Sequence, residues 1–268
     1  MGVSMATARA WVERWERQQE QYAVDREERF TVVADVVEHA AAGLARPLLL
    51  DLGCGPGSLA ARLAARFPHA EIVAADMDPL LLELGRTHYA DAARYVEAVI
   101  GEEGWTGALG LQRPLDAAVS TTALHYLSEP ALLHAYRSLA SLLRPGGVLV
   151  NGDHFPPGAA PCAELTAHVG RRRSERTHAR TRDGRREGPR EDWRSWWDAA
   201  ARDPELADLF DARRRRPPAH GNSGGERVTV RRHAELLRRA GFSHVAPVWQ
   251  IGDSTVLVAV AGDAHGPA

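Results

Sequence analysis

The chain has 268 residues, of which 44% are apolar and 25% charged, and its 33 basic and 35 acidic side chains leave a net charge of −2. That length suits one α/β domain with an insertion, and the charge balance gives no general attraction for nucleic acid. No run of about 18 apolar residues is present. Acidic residues and tryptophans occupy Met1 to Arg17, where a secretory leader would carry its apolar core, so a cytoplasmic location with no membrane partner is expected. The chain contains no lysine. This removes any mechanism built on a lysine base or Schiff base and points to a GC-rich bacterial genome. Two cysteines, Cys54 and Cys162, cannot make a disulfide framework, and the histidines lack metal-ligand spacing, so no metal is expected.

Residues 8–21 and 26–42 read as two amphipathic helices with a break near Tyr22 to Val24. Leu48 to Leu52 is an apolar run of strand length, followed by Gly53-Cys54-Gly55-Pro56-Gly57 and a helical pattern from Ser58 to Arg66. Glycines at such a turn permit backbone angles that a side chain forbids and let a ligand lie against the main chain. The helix that follows offers unpaired N–H groups to that ligand. The spacing is G-x-G-x-G, whereas the dinucleotide fingerprint requires G-x-G-x-x-G.

A second buried strand, Glu71 to Asp76, ends in an acid about twenty residues beyond the glycines, the place of a carboxylate that accepts from both ribose hydroxyls. Asp78-Pro79 starts the next helix, with Asp78 as N-cap. A third strand is expected over 94–100, and Leu115 to Leu127 reads as a fourth strand running into a helix. A helix over 132–143 stops at Arg144-Pro145-Gly146-Gly147, and Val148 to His154 forms the fifth strand. Residues 155–225 form an insertion containing an arginine-rich piece, 170–190, the run Trp193-Arg194-Ser195-Trp196-Trp197 and the four arginines 213–216. A helix over 230–240 with Gly241-Phe242 as its cap and staple leads to two strands, 245–251 and 254–261. Gly252-Asp253 joins them as a tight antiparallel turn.

Asp51 before the glycine turn, Asp76, the strand at Asp116, the phrase Leu-Arg-Pro-Gly-Gly before the fifth strand and the terminal hairpin together resemble the class I S-adenosylmethionine-dependent methyltransferases. The resemblance covers residues 45–154 and 226–262. It implies a Rossmann-like, mostly parallel seven-stranded α/β sheet with helices on both faces, a C-terminal antiparallel hairpin, an N-terminal helical lid and a helical insertion after the fifth strand. The corresponding boundaries are 1–44 for the lid, 45–154 for the cofactor-binding core, 155–225 for the substrate cap and 226–268 for the closing helix and hairpin.

The cofactor implied is S-adenosyl-L-methionine, with S-adenosyl-L-homocysteine as product. In the family the loop Gly53, Gly55, Gly57 lies under its amino-acid part and ribose, Asp51 holds its amino group and Asp76 its ribose, and Met77 flanks the adenine. The acidic residue that usually receives the adenine amino group falls on Val99 or Glu102, with packing by Ile100 or Trp105. The backbone of Ser120 and Thr121 lies beside the methionine part, and the lid makes Tyr22 and Arg26 further candidates.

Transfer from a sulfonium is an in-line displacement that needs near-attack geometry, exclusion of water and, for a protonated nucleophile, a base. His154 and His125 sit at strand ends on the ligand edge and are the candidates, with His154 preferred because it lies directly beneath the insertion. The tetrad of base-amino methyltransferases and the Pro-Cys of pyrimidine-carbon methyltransferases are missing at their places, so a small molecule methylated on O, N or C is the expected partner. The rivals are an RNA methyltransferase using the insertion's arginines, a protein that binds the cofactor without methylating, and an NAD(P)-dependent oxidoreductase.

Overall fold

The computed structural model describes residues 2–22, 25–157, 162–182, 191–216 and 228–262; the side chains of 21, 22 and 178–182 lie outside that description. In chain order, α1 (Met5–Tyr22) and α2 (Arg26–Ala40) precede β1 (Leu48–Leu52), α3 (Ser58–Arg66), β2 (Glu71–Asp76) and α4 (Pro79–His88). Then come β3 (Arg94–Glu97), the short α5 (Trp105–Ala108), β4 (Leu115–Thr121), a 3-10 turn (Leu124–Tyr126), α6 (Glu129–Leu142) and β5 (Leu143–His154). The insertion supplies α7 (Cys162–Arg182), α8 (Trp193–Ala200), a 3-10 turn (Pro204–Leu206) and α9 (Ala207–Arg214). The chain closes with α10 (Val230–Ala240), β6 (Phe242–Ile251) and β7 (Ser254–Ala261).

The strands form one seven-stranded sheet in the order β3-β2-β1-β4-β5-β7-β6, parallel except for β7, which runs antiparallel to both of its neighbours. This is the Rossmann-like arrangement expected from the sequence. Period-two alternation divides β1 between two cores: Leu48, Leu50 and Leu52 face α5, α6 and α10, while Leu49 faces α2, α3 and α4. A third cluster lies off the sheet, where Trp11, Val12 and Trp15 of α1 meet Leu80, Leu81 and Leu84 of α4, Trp196 of α8 and Phe210 of α9.

The N-terminal helices therefore have different jobs. Helix α2 covers the sheet with Phe30, Val33 and Val37, and α1 holds the insertion. Several ends differ from the sequence reading. Strand β3 stops at Glu97, because Ala98 donates to the Asp76 carbonyl (2.9 Å) and Gly101 turns at φ +88°, so residues 98–102 run as a loop. Strand β4 ends in a 3-10 turn. The Arg144 to Gly147 stretch lies within β5, whose Leu143 pairs with Leu115 before a register shift, and Phe242 opens β6 directly after Gly241, the αL cap of α10. Among the described residues no helix is long and apolar enough to cross a membrane.

Candidate functional site

Strands β1 to β5 all end on one edge, where their carboxyl ends border a cavity of about 820 Å³. A sheet of this kind binds ligands at that edge. Its floor is the glycine turn. Gly53 and Gly55 have φ of +67° and +54°, and a Cβ on Gly53 would stand 2.3 Å from the Ala123 Cβ, so neither the conformation nor the space admits a side chain there. Both line the cavity, together with Asp51, Asp76, Met77, Ile100, Glu102, Thr121, His125 and His154.

Gly57 and Ser120 do not form part of its wall. Gly57 (φ +88°) starts α3, and a Cβ on it would stand 2.2 Å from the Tyr95 hydroxyl; Ser120 is buried, with its hydroxyl donating to the Leu52 carbonyl at 2.9 Å. Trp105, the first residue of α5, is packed in the core. The Tyr22 side chain lies outside the described residues.

Two carboxylates dominate the floor. Asp51 is fully buried, and one oxygen accepts from the Ala60 N–H at 3.1 Å in the first turn of α3. Burial, with a further push from the nearby charge of Asp76, raises its pKa to about 7. Asp76 accepts from Gly55 N–H (2.8 Å) with one oxygen and from Asp78 N–H (2.9 Å) with the other; its pKa is raised, because burial and then Asp78 outweigh these two bonds. Among the described residues no cation pairs with either acid. One buried and one half-buried carboxylate without a cationic partner, at a turn whose backbone is bare, are what an ammonium group and a ribose require. The residues present fit S-adenosylmethionine.

On the opposite wall, His125 of the 3-10 turn is held by Asp153 of β5, with Nδ1 2.9 and 3.0 Å from the two carboxylate oxygens. Burial opposes the charge on Asp153, but the His125 hydrogen bond and charge, the His154 N–H and the Arg29 guanidinium outweigh it and hold the carboxyl below its usual range. An ionised acid on Nδ1 fixes that nitrogen as the donor and leaves Nε2 as the basic nitrogen.

His154 has a looser partner, Asp253, 3.3 Å from its Nδ1 and on the exposed β6–β7 turn. The antiparallel course of β7 brings that turn to the carboxyl edge. Arg29 of α2, 1% exposed, lays its stem against Gly152, where a Cβ would meet its Cγ and Cδ at 3.0 Å. Thr122, the residue between β4 and the His125 turn, has φ +50°, a strained geometry for a β-branched residue of the kind found at functional sites.

The cavity is roofed by sequence-distant elements. Trp15 of α1 lies over the glycine turn, its ring 3.5 Å from the place of a Cβ on Gly55. Trp193 and Trp197 of α8 also face the cavity, and Arg213 of α9 stacks on Trp197 at 4.0 Å while pairing with Asp78 at 2.6 Å. Arg216 donates to the Met77 carbonyl at 3.1 Å and pairs with Glu97. Helix α7 docks by an approach of two glycines, Gly170 and Gly252, and by Arg173 on Asp25 and Glu28, both at 2.7 Å. Among the described residues no group of three side chains could hold a metal ion.

Residues 49–147 match the family described as a methyltransferase domain. This part of the chain is a methyltransferase domain. Over 102 residues the chain is 39% identical to a trans-aconitate 2-methyltransferase of Methylobacterium radiotolerans, covering 38% of this chain and 36% of the relative. Over another 102 residues it is 34% identical to a malonyl-[acyl-carrier protein] O-methyltransferase of Hahella chejuensis, covering 38% of this chain and 34% of that one. The matched part thus spans about a third of the length of these relatives. An O-methyltransferase family protein from Burkholderia thailandensis has the same fold, with a TM-score of 0.52 over 97% of this chain and 72% of that chain at 18% identity. The methyltransferase domain so defined contains the glycine turn, Asp51, Asp76 and His125, whereas Asp153, His154 and the aromatic roof lie outside it.

Proposed function

We propose that the chain is an S-adenosylmethionine-dependent methyltransferase acting on a small molecule, with α1 and the insertion helices α8 and α9 roofing the site. The observation that carries this reading is the pair of carboxylates at the bare glycine turn, Asp51 buried and Asp76 half-buried, which pair with no cation among the described residues. Asp51 would take the cofactor's ammonium, Asp76 the ribose hydroxyls, and Met77, Ile100 and Glu102 the adenine side, while Thr121 borders the methionine part. Gly53 and Gly55 keep the turn low enough for contact. Bound there, the cofactor supplies a methyl group on a sulfonium. The chain's own work is to hold an acceptor in line, exclude water under Trp15 and α8, and remove a proton.

For that last task the geometry favours His125 over His154. Asp153 grips His125 with both oxygens from a buried position, whereas the Asp253 that faces His154 is exposed. Small-molecule chemistry is supported by the names of the two curated relatives, whose acceptors are an organic acid and a carrier-bound acyl group. Three of the described insertion arginines that border the site are spent on neighbouring acids, Arg173 on Asp25 and Glu28, Arg213 on Asp78 and Arg216 on Glu97, which speaks against their being offered to RNA.

The test is calorimetric titration with S-adenosylmethionine, S-adenosylhomocysteine and NADH. Micromolar binding of the two sulfur compounds, lost in Asp76→Ala, is expected; preference for NADH, or no binding of either sulfur compound, would refute the assignment.

A further inference from the structure

The curated relatives are named for anionic acceptors, and the cavity of this chain is built for a different charge. A carboxylate acceptor needs fixed cations to replace its hydration, most effectively arginines with free forks. Two arginines line the cavity, and each is already neutralised: Arg26 by Glu16 at 2.6 Å and Arg213 by Asp78 at 2.6 Å. With Asp78 spent on Arg213, four further acids line the same cavity, Asp51, Asp76, Glu102 and Asp253. The cofactor's ammonium and sulfonium would answer part of this negative surplus. A di- or tricarboxylate would add to it.

A second observation concerns the proton. A carboxylate acceptor is already ionised at neutral pH and gains nothing from a base. Here a histidine on the cavity wall is locked by a buried aspartate into the form that accepts a proton at Nε2. Such an arrangement serves an acceptor that arrives protonated. The third observation is the roof: Trp15 and Trp193 lie 5.2 Å apart between ring centroids, Trp193 and Trp197 5.7 Å, and Trp193 keeps 38% of its surface exposed at the first helical position of α8. Tyr126, beside His125 and 52% exposed, adds an aromatic ring on the base side. Rings of this kind recognise flat apolar ligands.

We propose that the acceptor is an uncharged aromatic hydroxyl compound, its ring held against Trp193 and Tyr126 and its O–H directed at His125. This deepens the methyltransferase reading and rests on it. The step balances within the cavity: the hydroxyl proton passes to His125 Nε2 as the oxygen forms its bond to the methyl carbon. The carbon–sulfur electron pair stays on sulfur, and the imidazolium later releases the proton to solvent.

Binding decides the proposal without turnover. The full chain is titrated with 2-naphthol and with trans-aconitate, each in the absence and presence of S-adenosylhomocysteine. The expected result is affinity at least about tenfold higher for 2-naphthol than for trans-aconitate, a difference of about 1.4 kcal/mol. Trp193→Ala should lose about tenfold in 2-naphthol affinity, and Trp193→Phe should retain most of it, with S-adenosylhomocysteine binding unchanged in both. Equal or tighter binding of trans-aconitate, or 2-naphthol affinity indifferent to Trp193→Ala, would overturn it. Failure of S-adenosylhomocysteine to bind would strike the cofactor assignment instead, and the contest between the two probes would still be read from the titrations without it.

Discussion

Asp51→Asn is expected to abolish useful affinity for S-adenosylhomocysteine and, at the same time, to raise the melting temperature of the ligand-free protein above neutral pH. Both effects have one cause. The Asp51 carboxyl is buried beside Asp76 and its pKa stands at about 7, against about 3.9 in an unfolded chain. The folded state therefore holds a proton that the unfolded state has lost between about pH 4 and pH 7, and stability falls as pH rises through that window. Above pH 7 the full penalty applies, on the order of 4 kcal/mol at about 1.4 kcal/mol per pKa unit. Asparagine keeps an oxygen for the Ala60 N–H and carries no charge to desolvate.

A ligand ammonium beside the carboxylate reverses the balance in the native protein. It favours the ionised form, so binding releases a proton near neutrality, and affinity should rise toward pH 7 by up to about tenfold per unit and level off above it. Loss of this charge-assisted contact should cost about thirtyfold or more in affinity. Calorimetry in buffers of different ionisation enthalpy measures the proton release, and thermal melts of both proteins from pH 5 to pH 9 measure the crossing of their stabilities. Binding that ignores pH would mean that the ammonium sits elsewhere.

His125→Asn is expected to lower kcat by about 10² to 10⁴, the range of a general base, with little change in S-adenosylhomocysteine affinity. Asp153→Asn should approach the same loss by another route. An asparagine amide can donate to Nδ1, which moves the imidazole proton to Nε2 and turns the base into a donor. The two losses should not add in the double variant, because either change removes the same proton acceptor. His154→Ala should cost less than either. A pH–rate profile that keeps its lower limb in His125→Asn would rule the residue out as base.

What the sequence made legible was what repeats locally. Gly53, Gly55 and Asp76 stand at spacings set by one strand, one turn and one helix, and the hairpin around Gly252 announces itself by its turn. The proposed base could not be chosen that way. The position of His154 at a strand end favoured it, and only the pairing across 28 residues between His125 and Asp153 reverses the preference. A signal existed, since an acid inside the apolar strand Val148 to His154 asks for a buried partner. The place of Asp253 also follows once β7 is known to run antiparallel, because its first residues then share an edge with the last residues of β5. The roof had no local signal. Trp15 meets Trp193 and Trp196 across about two thirds of the chain, and Gly57 matched the motif while serving the packing of Tyr95.

The third apolar cluster sets how the molecule opens. Helix α1 and the pair α8 and α9 share one set of buried tryptophans, tied by Trp11 Nε1 to Asp203 at 2.7 Å, by Arg14 to Glu191 at 3.1 Å and by the Ser4 N–H to Glu205 at 3.2 Å. Both pack on Leu80, Leu81 and Leu84 of α4, and each covers the part of the other's apolar face that α4 leaves open. Amide protons of residues 5–20 and 193–214 should therefore exchange with solvent in a single cooperative event, at a lower opening free energy than the sheet, and ligand binding beneath them should slow both together.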